Sequence, residues 1–148
     1  MKKYIVSDIH GNGNFYYSIM YYLDNVSKED DITLYINGDL IDRGIESGEI
    51  LLDIIKRIKE NNKHFQIKYL LGNHELMMYQ LYQDRLMGKN TYFNDWYDNG
   101  GWVTDCYLED NLSREEIFNI VDFIGDLDVY YLFDEKINNK NILLVHAG

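Results

Sequence analysis

The sequence predicts a mixed α/β domain in which helices flank a largely parallel sheet, and three observations support this class. Four short runs of apolar, β-branched or aromatic residues have the length of strands, at residues 4–7, 32–37, 67–71 and 142–145. Segments with apolar residues at a spacing of three to four alternate with the first three runs, which is typical of helices. A polar cluster rich in Gly, Asp, Asn or His follows each run. Alternating strands and helices favour βαβ crossovers and parallel neighbours.

The helical pattern covers residues 14–26, 47–61 and 75–87, and a further helix follows the capping box Ser113-Arg-Glu-Glu116 to about residue 124. Residues 90–101 are expected to form a loop or a broken helix. The last two strands, 129–136 and 141–146, are expected to form a hairpin, because Asn138 and Asn139 tolerate the positive φ of a tight turn. The continuous apolar character of the four runs predicts strands covered on both faces.

Composition and charge exclude several classes of protein. The chain has 148 residues, of which 46% are apolar, with one Cys and no Pro, and this fits a single globular domain. Twenty-five acidic residues against 14 basic ones give a net charge of −11, which disfavours nucleic acid and anionic membranes as partners. No apolar run approaches the roughly 20 residues of a membrane span. We therefore expect a cytoplasmic protein in which Cys106 is a half-buried small residue.

Polar side chains at the ends of four predicted strands suggest a metal centre. The carboxyl ends of parallel strands converge on one crevice, and Asp8 and His10 are two residues apart, so they point to the same side of an extended chain. By itself this pair fits a strand-end turn with a solvated Asp better than a metal site. However, Asp39, Asn73 and His146 follow the other strands. Oxygen and nitrogen ligands without a thiolate suit Mn, Fe or Zn.

The same clusters contain candidates for catalysis. A carboxylate can bridge two ions roughly 3.5–4 Å apart, and Asp39 is the candidate bridge. Arg43 offers a guanidinium fork for phosphate oxygens, although a surface salt bridge is the alternative. His74 suits proton donation to a leaving oxygen, and Asp42 can hold its other nitrogen. His64 is expected at the opposite end of the sheet, exposed to solvent.

Taken in order, four blocks resemble the signature series of the phosphoprotein phosphatase (PPP) family of metallophosphatases: SDIHG (7–11), NGDLIDRG (37–44), LGNHE (71–75) and VHAG (145–148). The segment NGGWVTD (99–105) is similar to a stretch of the bacterial and phage serine/threonine phosphatases, the type of the bacteriophage lambda phosphatase. The resemblance spans nearly the whole chain. It implies an α/β fold of the calcineurin-like metallophosphoesterase type, an αββα sandwich, over residues 1–148.

The resemblance also implies a role for each matching residue. It assigns Asp8 and His10 to a first metal, Asp39 to the bridge, Asn73 and His146 to a second metal, Asn73 and Arg43 to the substrate, and His74 and Asp42 to proton donation and its orientation. The implied cofactors are two divalent metal ions, with Mn as the leading candidate and Fe or Zn as alternatives. Glu75 is predicted to be structural.

The implied function is a metal-dependent phosphomonoesterase that hydrolyses phosphoserine and phosphothreonine, with phosphotyrosine as a further candidate, through a metal-activated hydroxide. The expected partners are therefore phosphoproteins or small phosphoesters. Symmetrical diadenosine tetraphosphatases are similar, but they tend to replace the Asp of DRG and to contain GNHD, whereas Asp42 and Glu75 match the phosphoprotein branch. A third alternative is a catalytically incomplete fragment that binds metal or a partner chain without turnover.

The family continues past His-Ala-Gly with a second phosphate-binding Arg, a further His on the second metal and most of the second sheet, whereas the sequence ends at Gly148. We therefore expect a domain whose C-terminal portion is absent. The expected consequences are one firmly and one loosely held ion, little or no phosphatase activity, and self-association through apolar faces left exposed.

Overall fold

The fold alternates strands and helices before it ends in a hairpin. The structure is a computed structural model that describes residues 1–146. Ala147 and Gly148, which the sequence places in the last polar cluster, lie outside the described residues. The elements, in chain order, are β1 (Lys2–Val6), α1 (Gly13–Val26), β2 (Ile32–Asn37), α2 (Ser47–Glu60), β3 (Phe65–Leu70), α3 (Asn73–Leu86), α4 (Phe93–Asp98), α5 (Trp102–Asn111), α6 (Arg114–Gly125), β4 (Tyr130–Ile137) and β5 (Lys140–Val145).

The strands form two separate sheets. β1, β2 and β3 are parallel neighbours in that order, as two βαβ crossovers require. β4 and β5 pair in an antiparallel hairpin, in which Asn138 and Asn139 have φ of 51° and 62°. The mixed α/β class, the parallel sheet and the hairpin are confirmed. The structure also shows that the hairpin forms a sheet of its own.

The central strand, β2, lies between a helical layer and the hairpin. Its apolar side chains are almost fully buried, because both of its faces are covered. On one face of the parallel sheet, Tyr22 of α1 contacts Tyr4 of β1. On the other face, the ring of Tyr35 lies 4.8 Å from that of Tyr131 and 5.0 Å from that of Phe133, measured between centroids. These aromatic contacts join the hairpin to the sheet.

The expectation that every strand is covered on both faces holds for β2 and is wrong for β1 and the hairpin. β1 has one neighbour in the sheet, and its Ile5 is 53% exposed. The outer face of the hairpin carries four apolar side chains that are each about half exposed: Tyr130, Leu132, Leu143 and Val145. Within residues 1–146 these side chains lack the second layer that a buried strand needs. Self-association through them stays a prediction.

Other differences concern element boundaries and burial. The first and third strands each begin two residues earlier than expected, and residues 90–101 contain the short helix α4. The helix α5 was not predicted, because its apolar residues do not recur at a clear helical spacing. Cys106 lies on this helix and is exposed rather than half-buried. Among the described residues, no helix is both long enough and apolar enough to cross a membrane.

A buried carboxylate anchors α5 to α3. Asp105 accepts hydrogen bonds from both terminal nitrogens of Arg85, at 3.1 and 2.8 Å, and from the hydroxyls of Tyr82 and Tyr97. Burial by itself would raise the pKa of Asp105, but the hydrogen bonds from Arg85 and the two tyrosines outweigh it and lower the pKa below its usual range. The charged form is therefore the one that the fold stabilises.

Replacing Asp105 should therefore lower the free energy of unfolding by an amount that depends on pH. We expect Asp105→Asn to lower the free energy of unfolding by about 2–3 kcal/mol at pH 7, because it removes a charged acceptor. A lowered pKa contributes stability above the unfolded pKa of about 3.9, and this is lost as pH falls through the folded value. Urea unfolding from pH 7 to pH 3 should show the difference from wild type shrinking. Asp110→Asn, at an exposed position of the same helix, is the control, and a pH-independent difference would contradict the assignment.

Candidate metal centre and active site

Residues that are remote in sequence meet in one cleft at the carboxyl edge of the parallel sheet. The cleft has a volume of about 460 Å³. The loops after β1 and β2, the first turn of α3 and the end of β5 contribute seven of the eight predicted site residues to its lining: Asp8, His10, Asp39, Arg43, Asn73, His74 and His146. The eighth, Asp42, is fully buried behind His74. His64 lies before β3, at the opposite end of the sheet, where it is exposed and contacts Asp31.

The two central loops of the site are held together by the buried carboxyl group of Glu75. It accepts hydrogen bonds from four donors: the backbone nitrogens of Asp39 (2.8 Å), Leu40 (2.9 Å) and Gly72 (3.0 Å), and the hydroxyl of Tyr69 (2.7 Å). Burial raises the pKa of Glu75 above its usual value, although these hydrogen bonds favour the charged form. This arrangement fits the structural role expected from the sequence.

Asp39 is a member of two groups of potential metal ligands. One group is His10, Asp39 and His74, the other is Asp8, Asp39 and His146, and in each the ligand atoms lie within 4.8 Å of one another. Oδ2 of Asp39 lies 3.6 Å from Nε2 of His10, and Oδ1 lies 3.4 Å from Nε2 of His146. A carboxylate shared in this way is suited to bridging two ions.

The grouping around Asp39 differs from the expected pairing of ligands. The sequence pairs Asp8 with His10, and a carboxylate oxygen of Asp8 does lie 3.9 Å from Nε2 of His10. The same carboxylate, however, belongs to the group that contains His146. His74, which was expected to donate a proton, is near enough to His10 and Asp39 to be a ligand by distance alone.

The imidazoles of His10 and His146 are oriented by backbone carbonyls. Nδ1 of His10 lies 2.9 Å from the carbonyl oxygen of Ile41, and Nδ1 of His146 lies 2.7 Å from that of Asn37. A carbonyl can only accept, so each Nδ1 carries the hydrogen. Nε2 of each ring therefore faces the cleft, which is the orientation of histidines that bind metals in proteins through this nitrogen.

The contacts of Asn73 also fit a cation. Its Oδ1 lies 3.0 Å from Nε2 of His146, and it faces the carboxylate of Asp39, so that three acceptors converge. A cation between them would stabilise this arrangement. Without one, turning the amide over would let its nitrogen donate to His146 at 3.0 Å and to Asp39 at 3.1 and 3.2 Å. The donor set therefore fits a hard or borderline divalent metal ion.

A buried ion pair lies beside these potential ligands. Nδ1 of His74 lies 2.8 Å from Oδ2 of Asp42, and the two residues are 1% and 0% exposed. Burial by itself would lower the pKa of His74, but the hydrogen bond and the negative charge of Asp42 outweigh it, and the pKa is raised. The guanidinium of Arg43 lies 3.3 Å from Nε2 of His74 and 3.4 Å from Nε2 of His10.

Five predicted site residues have a left-handed backbone conformation that side chains other than Gly rarely adopt. Their φ values are 54° for Asp8, 46° for His10, 54° for Asp39, 74° for Asp42 and 72° for Arg43. Each costs roughly 1–2 kcal/mol. Such strain persists where surrounding contacts hold it, and it is common at functional sites.

Three further residues contribute to the site, although the sequence did not indicate a role for them. Asn37 ends a predicted strand and begins the block NGDLIDRG without a predicted role of its own, yet its carbonyl orients His146 and its amide donates to the carbonyl of Val145 at 3.2 Å. Trp96 and Thr104 donate to Asp42 at 2.7 and 2.6 Å. No local spacing marks these contacts. The segment NGGWVTD, which contains Thr104, was the one available signal.

A family profile described as calcineurin-like phosphoesterase matches residues 1–148. The chain belongs to this family. No curated protein matches the sequence closely enough to count as a relative. Membership of the family supports a hydrolase that acts on phosphate esters with divalent metal ions, and the cluster of His and Asp side chains provides a candidate site for them. The mixed α/β structure, with a parallel sheet and helices, agrees with the family fold.

Replacing Glu75 should destabilise the protein even without metal. We expect Glu75→Gln to lower the free energy of unfolding by about 2–3 kcal/mol, because an amide nitrogen would face backbone donors that need an acceptor. Urea unfolding of the metal-free protein measures this loss. The control is Glu115→Gln at an exposed position, which should change stability by less than about 0.5 kcal/mol. Equal stability of the two variants would show that Glu75 does not hold the two loops together.

Proposed function

We propose that the chain is a metal-dependent phosphomonoesterase of the phosphoprotein phosphatase type, acting on phosphoserine and phosphothreonine, with phosphotyrosine as a further candidate. The observation that carries the proposal is the buried hydrogen bond of 2.8 Å between His74 and Asp42. It leaves Nε2 of His74 in the cleft, beside Arg43 and the potential metal ligands. The proposed proton donor, the proposed phosphate-binding arginine and the candidate metal site thus lie next to one another.

The proposed cofactors are two divalent metal ions, with Mn²⁺ as the leading candidate and Fe or Zn as alternatives. In this proposal Asp39 is shared between them, Asp8 and His10 hold the first ion, and Asn73 and His146 hold the second. When bound, the ions would supply a water of lowered pKa and positive charge for the phosphate oxygens. Asp39 belongs to both groups of potential ligands, which supports the shared position, and the two histidines lie in different groups, as the assignment requires. The place of Asp8 beside His10 rests on the resemblance, since Asp8 groups with His146.

The residues of the chain have distinct tasks in the reaction. The attacking water first gives one proton to solvent. The fork of Arg43 binds two phosphate oxygens and neutralises charge as the oxygen of the resulting hydroxide bonds to phosphorus. The bond from phosphorus to the leaving oxygen breaks, and that oxygen takes the proton from Nε2 of His74. His74 then regains a proton from water, while Asp42 keeps the imidazole oriented. Atoms and charges balance without a phosphorylated enzyme.

Two features support a phosphoprotein over a dinucleotide as substrate. Asp42 occupies the DRG position and hydrogen-bonds His74, whereas the diadenosine tetraphosphatases tend to lack this residue. Glu75 completes GNHE in place of GNHD. The cytoplasmic location stays a prediction from the sequence.

Initial rates with Mn²⁺ on a phosphothreonine peptide and on diadenosine tetraphosphate test the substrate class. We expect phosphate release from the peptide to be the faster reaction. Preferential cleavage of the dinucleotide would overturn the proposal in favour of a dinucleoside-polyphosphate hydrolase. Absence of Mn²⁺-stimulated hydrolysis with these substrates and with p-nitrophenyl phosphate, while calorimetry detects bound Mn²⁺, would favour the incomplete metal-binding fragment.

His74→Asn should separate proton donation from metal binding. We expect kcat for an alkyl phosphate to fall by roughly 10²–10⁴, the usual contribution of a general acid, with unchanged metal content. The loss should be smaller for p-nitrophenyl phosphate, whose leaving oxygen needs little protonation. His64→Asn at the exposed histidine should leave the rate unchanged. Loss of metal from His74→Asn would instead identify His74 as a ligand.

Asp39→Asn should be the most damaging change to metal binding, because a neutral amide bridges two cations poorly and both ions depend on this residue. Elemental analysis after gel filtration in Mn²⁺ measures the bound metal. We expect less than half of the wild-type metal content in Asp39→Asn and an unchanged content in the exposed control Asp31→Asn. Two equivalents of Mn²⁺ bound to Asp39→Asn would show that Asp39 does not bridge the two ions.

A further inference from the structure

The segment that contains α4 and α5 directs its buried polar contacts toward the loop of Asp42 and Arg43. The carboxylate of Asp42 is fully buried and has partners on both oxygens. Oδ1 accepts from Oγ1 of Thr104 at 2.6 Å. Oδ2 accepts from Nε1 of Trp96 at 2.7 Å, and it lies 2.8 Å from Nδ1 of His74. Two donors outside the predicted site therefore determine where this carboxylate points.

Thr104 contacts Asp42 twice. Its hydroxyl donates to the carboxylate and accepts a hydrogen bond from the backbone nitrogen of Asp42 at 3.2 Å. The next residue, Arg43, donates its backbone N–H to the carbonyl of Gly100 at 3.1 Å. Asp42 and Arg43 have φ of 74° and 72°. These contacts therefore hold two successive residues in the left-handed conformation, which is unfavourable for residues other than Gly. The segment restrains side chain and backbone together.

The segment that contains α4 and α5 is itself anchored in the protein core. The ring of Trp96 is fully buried and contacts Tyr82 and Tyr97 edge to face. Asp105, the residue after Thr104, is tied to α3 by Arg85. The donors that reach Asp42 therefore come from a part of the core and not from a loop at the surface.

We propose that Trp96 and Thr104 are positioning residues for the reaction, since they hold Asp42 as an acceptor aimed at Nδ1 of His74. This inference rests on the proposed function. An ionised carboxylate that already has donors on both oxygens can only accept from His74. Nδ1 of His74 must then carry a hydrogen, and Nε2 is the nitrogen that can pass a proton to the leaving oxygen.

The test compares variants that remove each donor and keep the shape of the side chain. Thr104→Val removes both contacts of the hydroxyl, Thr104→Ser restores them, and Trp96→Phe removes the indole N–H. The matched controls are Thr33→Val, at a buried threonine of β2, and Trp102→Phe, at the second tryptophan of the chain, which is 53% exposed. Metal content and melting temperature are measured for every variant.

The kinetic arm uses Mn²⁺ and a series of leaving groups. We expect Thr104→Val and Trp96→Phe to lower kcat on an alkyl phosphate by about 10–100-fold, as for other residues that orient a functional side chain through a hydrogen bond. The loss should be smaller on p-nitrophenyl phosphate, KM should hardly change, and Thr104→Ser should recover most of the rate. Equal losses across leaving groups, or no loss for Thr104→Val, would overturn the inference.

The second arm does not depend on activity. In the Zn²⁺-loaded protein, the Nδ1–H proton of His74, assigned by its loss in His74→Asn, should give a slowly exchanging NMR resonance. It should broaden or disappear in Thr104→Val and return in Thr104→Ser. A wild-type protein without hydrolytic activity but with this pattern would contradict the proposed function and keep the positioning role. An unchanged resonance in Thr104→Val would contradict the positioning role itself. If Trp96→Phe fails to fold, the two Thr104 variants still test the positioning role.

Discussion

The site depends on one buried carboxyl group, that of Glu75, which ties the loop after β2 to the loop after β3. Among the backbone donors to Glu75, Asp39 is the candidate bridge, and Leu40 and Gly72 are each adjacent in sequence to a candidate ligand. The backbone nitrogen of His74 in turn donates to Oδ1 of Asp39 at 3.1 Å, so the same pair of loops also orients the shared carboxylate. Gly72 permits this approach, because a Cβ at that position would overlap Asp39. The distance between the candidate bridge and the candidate proton donor is therefore set by backbone contacts.

Charge explains why the proposed chemistry needs cations. The chain has a net charge of −11, and among the described residues that line the cleft Arg43 faces two carboxylates, those of Asp8 and Asp39. A phosphate dianion would be repelled by such a field. Divalent ions held by these carboxylates would reverse the local potential and make the cleft attractive to an anion. The acid excess and an anionic substrate are thus compatible.

Two distant parts of the chain complete the site from opposite sides. His146 follows the hairpin, which is held to the sheet by Asn37 and by the tilted ring contacts of Tyr35 with Tyr131 and Phe133. The α4–α5 segment holds Asp42 and is anchored to α3 through Asp105. Strain at Asp42 and Arg43 is therefore carried by contacts from a segment that contains none of the proposed catalytic residues.

The sequence by itself determined the features that depend on local pattern. The strand runs, the helical spacing, the Asn138-Asn139 turn and the polar clusters at strand ends predict the parallel sheet, the hairpin and a cleft at the strand ends. Seven of the eight predicted site residues line that cleft. These features follow from the period of the backbone and from the geometry of βαβ crossovers, which a single segment already encodes.

Tertiary structure alone decided which side chains and which oxygens meet. It separated the hairpin from the main sheet, left β1 exposed at an edge, and placed Asp8 in the group of His146 as well as near His10. It also brought Trp96 and Thr104 to Asp42 across separations of 54 and 62 residues. Such contacts have no local signature, because a hydrogen bond between distant residues depends on the packing of whole elements and not on the spacing of residues within one of them.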